Sequence, residues 1–167
     1  LNPSIDHIIT VGNLHTYQKN IADETVVHYG GKGINSAHVL GKLGASARAI
    51  AFMGSDNIDG FINRLDGTGV VLDPIEIGQR TRNTYKIIES SSGKDTEFNE
   101  RGFEIGTKDL NEMRKLIFKS FSSIEWLLLC GSIPPGVPDN FYQDITEESH
   151  DNGVRVCLDS SGSALHK

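Results

Sequence analysis

Positive charge is scarce in this sequence. Lys and Arg number 16 against 22 Asp and Glu, a formal net charge of -6. A surface of that sign repels phosphodiester backbones and anionic lipid, so neither nucleic acid nor a membrane is expected as a partner. Long apolar runs are missing too. Stretches such as WLLLC, Trp126 to Cys130, are short, whereas a bilayer span needs about 18 apolar residues. The opening LNPSIDHIITVG has no basic segment followed by a long apolar one, so no secretory leader is expected. Cysteine is rare. Cys130 and Cys157 each sit in an apolar, strand-like run, which predicts two buried thiols and a cytoplasmic protein. The six histidines show no metal-ligand spacing, and no Ser/His/Asp set emerges.

Glycine, by contrast, is abundant at 18 of 167 residues, above the usual share of about 7%. Turns or a ligand site must account for the excess. Two textures alternate along the chain. Strand-like runs are 26–29, 47–53, 84–89, 126–131 and 154–159. Helical spacing fills several gaps between them: Ala37, Leu40 and Leu43 share one face, and Ile58, Phe61, Ile62 and Leu65 another. The stripe Leu110, Met113, Ile117 and Phe121 predicts a helix over 107–121 with Thr107 as its N-cap. A weaker helix is expected over 139–151, closed by Gly153. This order reads as α/β with a mostly parallel sheet, and WLLLC as a central strand covered on both faces. Segments 5–29 and 70–100 are helix-poor and read as a small antiparallel flap. Three or so core strands would leave an edge uncovered, so residues 1–167 are expected to be part of a longer domain.

Several loops carry chemistry. GGKGIN, Gly30 to Asn35, leads bare amides into a helix N-terminus, which makes a hollow for an anion or hydroxyl. The alternative is a tight strand-to-helix turn with a surface lysine, although three glycines exceed what a turn requires. The phosphate-loop pattern fails because Gly33, not Ser or Thr, follows Lys32. A dinucleotide fingerprint would need glycine where Ser36 stands, though Asp56 lies at a suitable distance. GSIPPG (Gly131 to Gly136) and LDSSG (Leu158 to Gly162) both follow strands, and ligands bind beyond carboxyl strand ends. Arg82, in TRN, offers a planar fork suited to phosphate. Asp6, in NPSID, is able to accept hydrogen bonds from sugar hydroxyls. Read singly, Arg82 is more often a solvated surface arginine and Asp6 a turn residue.

Taken in order, NPSID, GGKGIN with LGKLG, TRN, TEFNE, GSIPPG and LDSSGSAL closely resemble the ribokinase-like sugar kinases of the phosphofructokinase-B type. The 1-phosphofructokinase and tagatose-6-phosphate kinase branch is the most similar. The resemblance covers the whole chain but only about the first half of such a kinase. It implies an α/β core with a β lid, ATP-dependent phosphorylation of a sugar phosphate with Mg²⁺, and a homodimer paired through the lids. It implies Asp6 on sugar hydroxyls, with Gly30, Gly31 and Asn35 lining the sugar site. Lys32 would lie beside the phosphate, Arg82 would grip the phosphate already on the substrate, and Ser132 would stand near it. The family's catalytic aspartate, in a Gly-Ala-Gly-Asp motif, is expected beyond residue 167, as is the nucleotide-binding half. One departure is Ile21, which follows Asn20 where relatives carry arginine; Lys19 is a candidate to compensate. The expected reaction is fructose 1-phosphate to fructose 1,6-bisphosphate in the intact protein, with this piece inactive alone. The alternatives are a tagatose-6-phosphate kinase, a non-catalytic sugar-phosphate-binding module, and a dinucleotide-binding domain.

Overall fold

A computed structural model describes residues 1–162 and 165. The end of the LDSSGSAL motif, at Ser163 and Ala164, lies outside the described residues. The chain runs β1 (Ser4–Val11), β2 (Glu24–Gly30), α1 (Lys32–Lys42), β3 (Arg48–Gly54), α2 (Ile58–Leu65), β4 (Val71–Ile77), β5 (Asn83–Glu89) and β6 (Asp95–Asn99). It continues through α3 (Thr107–Ser120), β7 (Trp126–Cys130), α4 (Phe141–Asp151) and β8 (Arg155–Asp159).

The flap is a four-stranded sheet in the order β2-β1-β5-β6. β1 pairs antiparallel with β2 but parallel with β5, so the sheet is mixed rather than antiparallel throughout. Residues 70–77, expected in the flap, belong elsewhere: β4 pairs parallel with β3, Ala51 opposite Pro74. The reason is burial. Ile75 and Ile77 fill the main core with Phe52, and α2 supplies the crossover that a parallel pair demands. Pro74 is tolerated there because β4 has a neighbour on one side only and needs no N–H on the other. β7 and β8 form a second parallel pair, Cys130 opposite Asp159.

Two apolar clusters hold the body together. One gathers Phe52, Phe103, Met113, Ile117, Phe141 and Ile145. The other gathers Ile5, Ile34, Ala37, Met53, Phe61 and Leu65. Each fully buried aromatic side chain contributes about 1.5–3 kcal/mol. The α3 stripe buries Met113, Ile117 and Phe121 as its spacing predicts. Its N-cap, however, is Gly106, with Thr107 the first helical residue and making no side-chain cap bond.

The first helix also differs from its sequence pattern. α1 starts at Lys32, four residues earlier than expected, and buries Ile34, Ala37 and Gly41, leaving Leu43 79% exposed. Gly41 sets this face: a Cβ there would lie 2.7 Å from the Thr68 carbonyl oxygen, so only glycine lets the helix approach that loop. On α2, Phe61 and Leu65 are buried while Ile62 is exposed. β7 is not covered on both faces. Trp126 and Leu128 are exposed while Leu129 and Cys130 are buried. Of the two thiols, Cys130 is buried but Cys157 is exposed, because β8 alternates its faces and turns Cys157 outward.

Candidate functional site

The antiparallel register of β1 and β2 sets Ser4 opposite Gly30 and Asp6 opposite His28. That pairing delivers the Asp6 carboxylate to the start of α1. Ser4 Oγ and Thr84 Oγ1 each donate to Asp6 Oδ1 at 2.6 Å, which fixes the carboxylate and leaves Oδ2 for another donor. A Cβ on Gly30 would lie 2.7 Å from Asp6 Oδ2 and 3.4 Å from Asn35 Oδ1. Asp6, Gly30 and Asn35 therefore surround one small space that a side chain on Gly30 would fill. Gly31 is the α1 N-cap, with φ of 99°, and a Cβ there would sit 2.9 Å from Pro3 Cα. Glycine is required on both counts.

A second group lies next to this one. Lys32, Arg82 and Ser132 line a single cavity of about 960 Å³, together with Asn2, Asn99 and Arg101. Asp6, Gly30, Gly31 and Asn35 are not on its wall, so the predicted residues fall into two clusters rather than one. Arg82 connects them. Burial pulls its pKa below the usual value, while the nearby charges of Asp6 and Glu100 oppose that shift.

The local sequence explains why Arg82 is available. Thr81 is buried, its Oγ1 accepting from Gly54 N–H at 2.9 Å. The arginines on either side of it therefore part company. Arg80 forms a two-pronged ion pair with Glu100, at 2.9 and 2.7 Å, and that guanidinium holds the Glu100 carboxyl below its usual range. Glu100 also accepts from Asn83 N–H at 2.7 Å. Arg82 is left with neutral carbonyls only. Its Nε and Nη2 donate to the Asn2 carbonyl oxygen at 3.4 and 3.3 Å, and Nη1 donates to that of Glu100 at 3.4 Å. These are long bonds for a guanidinium, whose strong partners are carboxylates and phosphates.

The two strand-end loops meet as parallel pairing requires. Gly131 N–H donates to the Asp159 carbonyl oxygen at 2.8 Å, and Tyr142 Oη donates to the Cys130 and Gly131 carbonyls at 2.9 and 3.1 Å. Lys32 Nζ lies 2.6 Å from Asp159 Oδ1, both side chains about half exposed at 51% and 56%. A pair that open is worth little and is readily exchanged for a stronger anion. Sequence reasoning missed Asn2, Asn99, Arg101 and Asp159. Asn2 and Asp159 stand inside motifs singled out for their neighbours, so the signal was at hand. Arg101 sits in the irregular segment between β6 and α3 and gave none. Among the described residues, no group of three or more His, Cys, Asp or Glu is arranged to hold a metal ion, so Mg²⁺ is assigned no ligands here. No described helix is long and apolar enough to cross a membrane.

Comparison with known proteins gives this geometry its context. The chain is 32% identical to 1-phosphofructokinase of Borreliella burgdorferi over 100% of its own length and 53% of the relative's. It is 29% identical to tagatose-6-phosphate kinase of Staphylococcus epidermidis, again over 100% of this chain and 53% of that protein. The phosphofructokinase-2 of Escherichia coli, solved in complex with substrates and products, superposes with a TM-score of 0.88 at 27% identity. That superposition covers 99% of this chain and 53% of the other, and the α/β fold with its sheet flap agrees with the expectation. The chain thus spans about half the length of the curated relatives it matches. The profile of the pfkB family carbohydrate kinases matches residues 1–167, and the chain belongs to that family.

Proposed function

We propose that the intact protein phosphorylates a ketohexose phosphate at the expense of ATP, converting fructose 1-phosphate to fructose 1,6-bisphosphate. In this reading residues 1–167 are the N-terminal part of one kinase domain and hold the acceptor. The observation that carries it is Arg82: a half-buried guanidinium with only carbonyl partners, on the wall of a cavity that Lys32 also lines. A half-buried cation with no direct ion pair is under-compensated even with Asp6 and Glu100 nearby, and an anionic substrate supplies the missing partner.

The division of labour follows from the two clusters. Asp6 Oδ2 and the Asn35 amide accept and donate to sugar hydroxyls at the space over Gly30. Arg82, Lys32 and Ser132 take the phosphate already on the sugar. Phosphoryl transfer is mainly positioning and charge stabilisation, so fixing the sugar at both ends aims one free hydroxyl at the incoming phosphorus. ATP with Mg²⁺ supplies the transferred group. The base that accepts the hydroxyl proton is assigned to the aspartate expected beyond residue 167. A homodimer through the flap is part of this proposal, supported by Val27 and Phe98, which stand exposed on flap strands β2 and β6. So is a cytoplasmic setting.

Tagatose 6-phosphate is the second substrate reading, favoured by the similarity to the staphylococcal enzyme. The third is a sugar-phosphate binder without chemistry. Steady-state assays of the intact protein with fructose 1-phosphate, tagatose 6-phosphate and fructose 6-phosphate separate all three. The expected result is the highest kcat/KM on fructose 1-phosphate. Binding without turnover would favour the binder, and turnover of no phosphorylated ketohexose would refute the kinase. Residues 1–167 expressed alone are expected to show no kinase activity.

A further inference from the structure

Building on that reading, we infer that Arg101 is a second guanidinium of the phosphate subsite, presented to the cavity by a corner that Asn2 fixes. Three cations line the cavity: Lys32, Arg82 and Arg101. Lys32 already has Asp159. Arg82 has carbonyls alone. Arg101 forms no ion pair among the described residues. Among the described residues, the acids on the same wall form no direct ion pair with either arginine, although the charge of Glu100 is felt at Arg82. Glu100 is engaged by Arg80, Glu97 lies 3.3 Å from Lys86, and Asp139 pairs with neither. A phosphate monoester near neutral pH brings close to two negative charges and three terminal oxygens. One planar fork covers two oxygens at most, so a second fork beside Arg82 completes the set.

The corner that carries Arg101 is built rather than loose. Asn2 is only 8% exposed. Its Nδ2 donates to the Arg101 carbonyl and to Ser132 Oγ, both at 3.1 Å. The Arg101 carbonyl can only accept, which decides which end of the amide faces it. Asn2 Oδ1 is buried without a partner and lies against Gly102. Gly102 has φ of 100°, and a Cβ there would meet that oxygen at 2.3 Å. The main-chain carbonyl of Asn2 meanwhile accepts from Arg82. One residue thus touches the segment that leaves the flap, the GSIPPG loop and Arg82. A buried amide that spends both donors on such a junction, and leaves its acceptor unmet, holds the Arg101–Gly102 segment in one place. Asn2 is a positioning residue; Arg101 is the residue that meets the ligand.

The test is calorimetric titration of the intact protein with fructose 1-phosphate, alongside thermal unfolding to confirm that each variant is folded. Arg101→Ala is expected to weaken binding about 10- to 100-fold, the loss of one charge-assisted contact. Arg101→Lys, which keeps the charge but not the fork, falls between. Asn2→Ala weakens binding too, and the loss in the double variant Asn2→Ala/Arg101→Ala is less than the sum of the two single losses, because Asn2 acts in part through Arg101 and in part through Ser132. Unchanged affinity in Arg101→Ala overturns the inference while wild-type binding keeps the proposed function intact. Fully additive losses overturn the role of Asn2. A wild-type protein that neither binds nor turns over any of the three sugar phosphates overturns the proposed function itself. Should Asn2→Ala fail to fold, the two Arg101 variants decide.

Discussion

Gly30 and Gly31 are neighbours with opposite reasons to be glycine, and alanine substitutions in the intact protein separate them. Gly31 has φ of 99°, and its missing Cβ would press on the Pro3 backbone at 2.9 Å. Pro3 directly precedes β1, and a backbone atom there has less room to move aside than a side-chain tip. Holding an L-residue in that region costs about 1–3 kcal/mol, and the contact adds to it. In a domain of this size each kcal/mol lowers Tm by about 2–4 °C, so Gly31→Ala is expected to lose several degrees. Gly30 carries no positive φ, and its Cβ meets a carboxylate oxygen, Asp6 Oδ2 at 2.7 Å. Alanine suits a strand slightly better than glycine, by about 0.4–1 kcal/mol through the unfolded chain, which offsets the crowding. Gly30→Ala should therefore melt near the wild type. Its methyl group occupies the space assigned to a sugar hydroxyl, so the two bonds to Asp6 and Asn35 are lost together. At about 1.5–3 kcal/mol for a bond to a charged group, KM for the sugar phosphate rises at least tenfold. Differential scanning calorimetry and steady-state kinetics read the two quantities. A Gly30→Ala enzyme with an unmoved KM would show that the Asp6, Gly30 and Asn35 space is not where the sugar binds. An unmoved Tm in Gly31→Ala would refute the backbone argument.

Two further outcomes follow from the charges. Arg82→Met removes a half-buried cation and its phosphate contact; KM for the sugar phosphate should rise about 100-fold while Tm holds or increases, since an apolar isostere needs no counter-charge. A Tm collapse instead would mean that Arg82 is structural. Glu100 has its folded pKa depressed by Arg80, so the pair's contribution is present above the unfolded carboxyl value of 4.5 and disappears as pH falls through the lower, folded value. Urea titrations of wild type and Arg80→Gln should therefore differ at pH 6 and converge in acid; parallel curves at every pH would contradict the assignment.

Local features of the fold were legible because they rest on short-range physics. The stripe Met113, Ile117 and Phe121 is a consequence of helical period, and it is buried as the pattern requires. The glycine-rich entry to α1 announces bare backbone in any context. What stayed hidden depends on partners distant in sequence. Nothing in VVLDPIEI says that β3 will claim it, since strand texture is the same in flap and body. Leu43 looked apolar enough to bury, but Gly41 had to face Thr68 and turned the helix so that Leu43 points out. In the candidate site, Lys32 and Arg82 were visible as charges in suspicious company. The Lys32–Asp159 pair was not, because 127 residues separate its members. The pair arises only when β7 and β8 align, and Arg101 becomes notable only once Arg80 has taken Glu100.

The flap joins strands from distant parts of the chain: β1 lies between β2 and β5, with Asp6 and Thr84 in contact across 78 residues. On the ribosome, the β1–β2 hairpin must wait, one edge bare, while α1, β3, α2 and β4 are synthesised. Only then can β5 arrive to fix the Asp6 carboxylate and deliver Arg82. The bonds that hold the Asp6 carboxylate are therefore completed late, and a nascent chain stalled before residue 83 would present a sticky strand edge to chaperones.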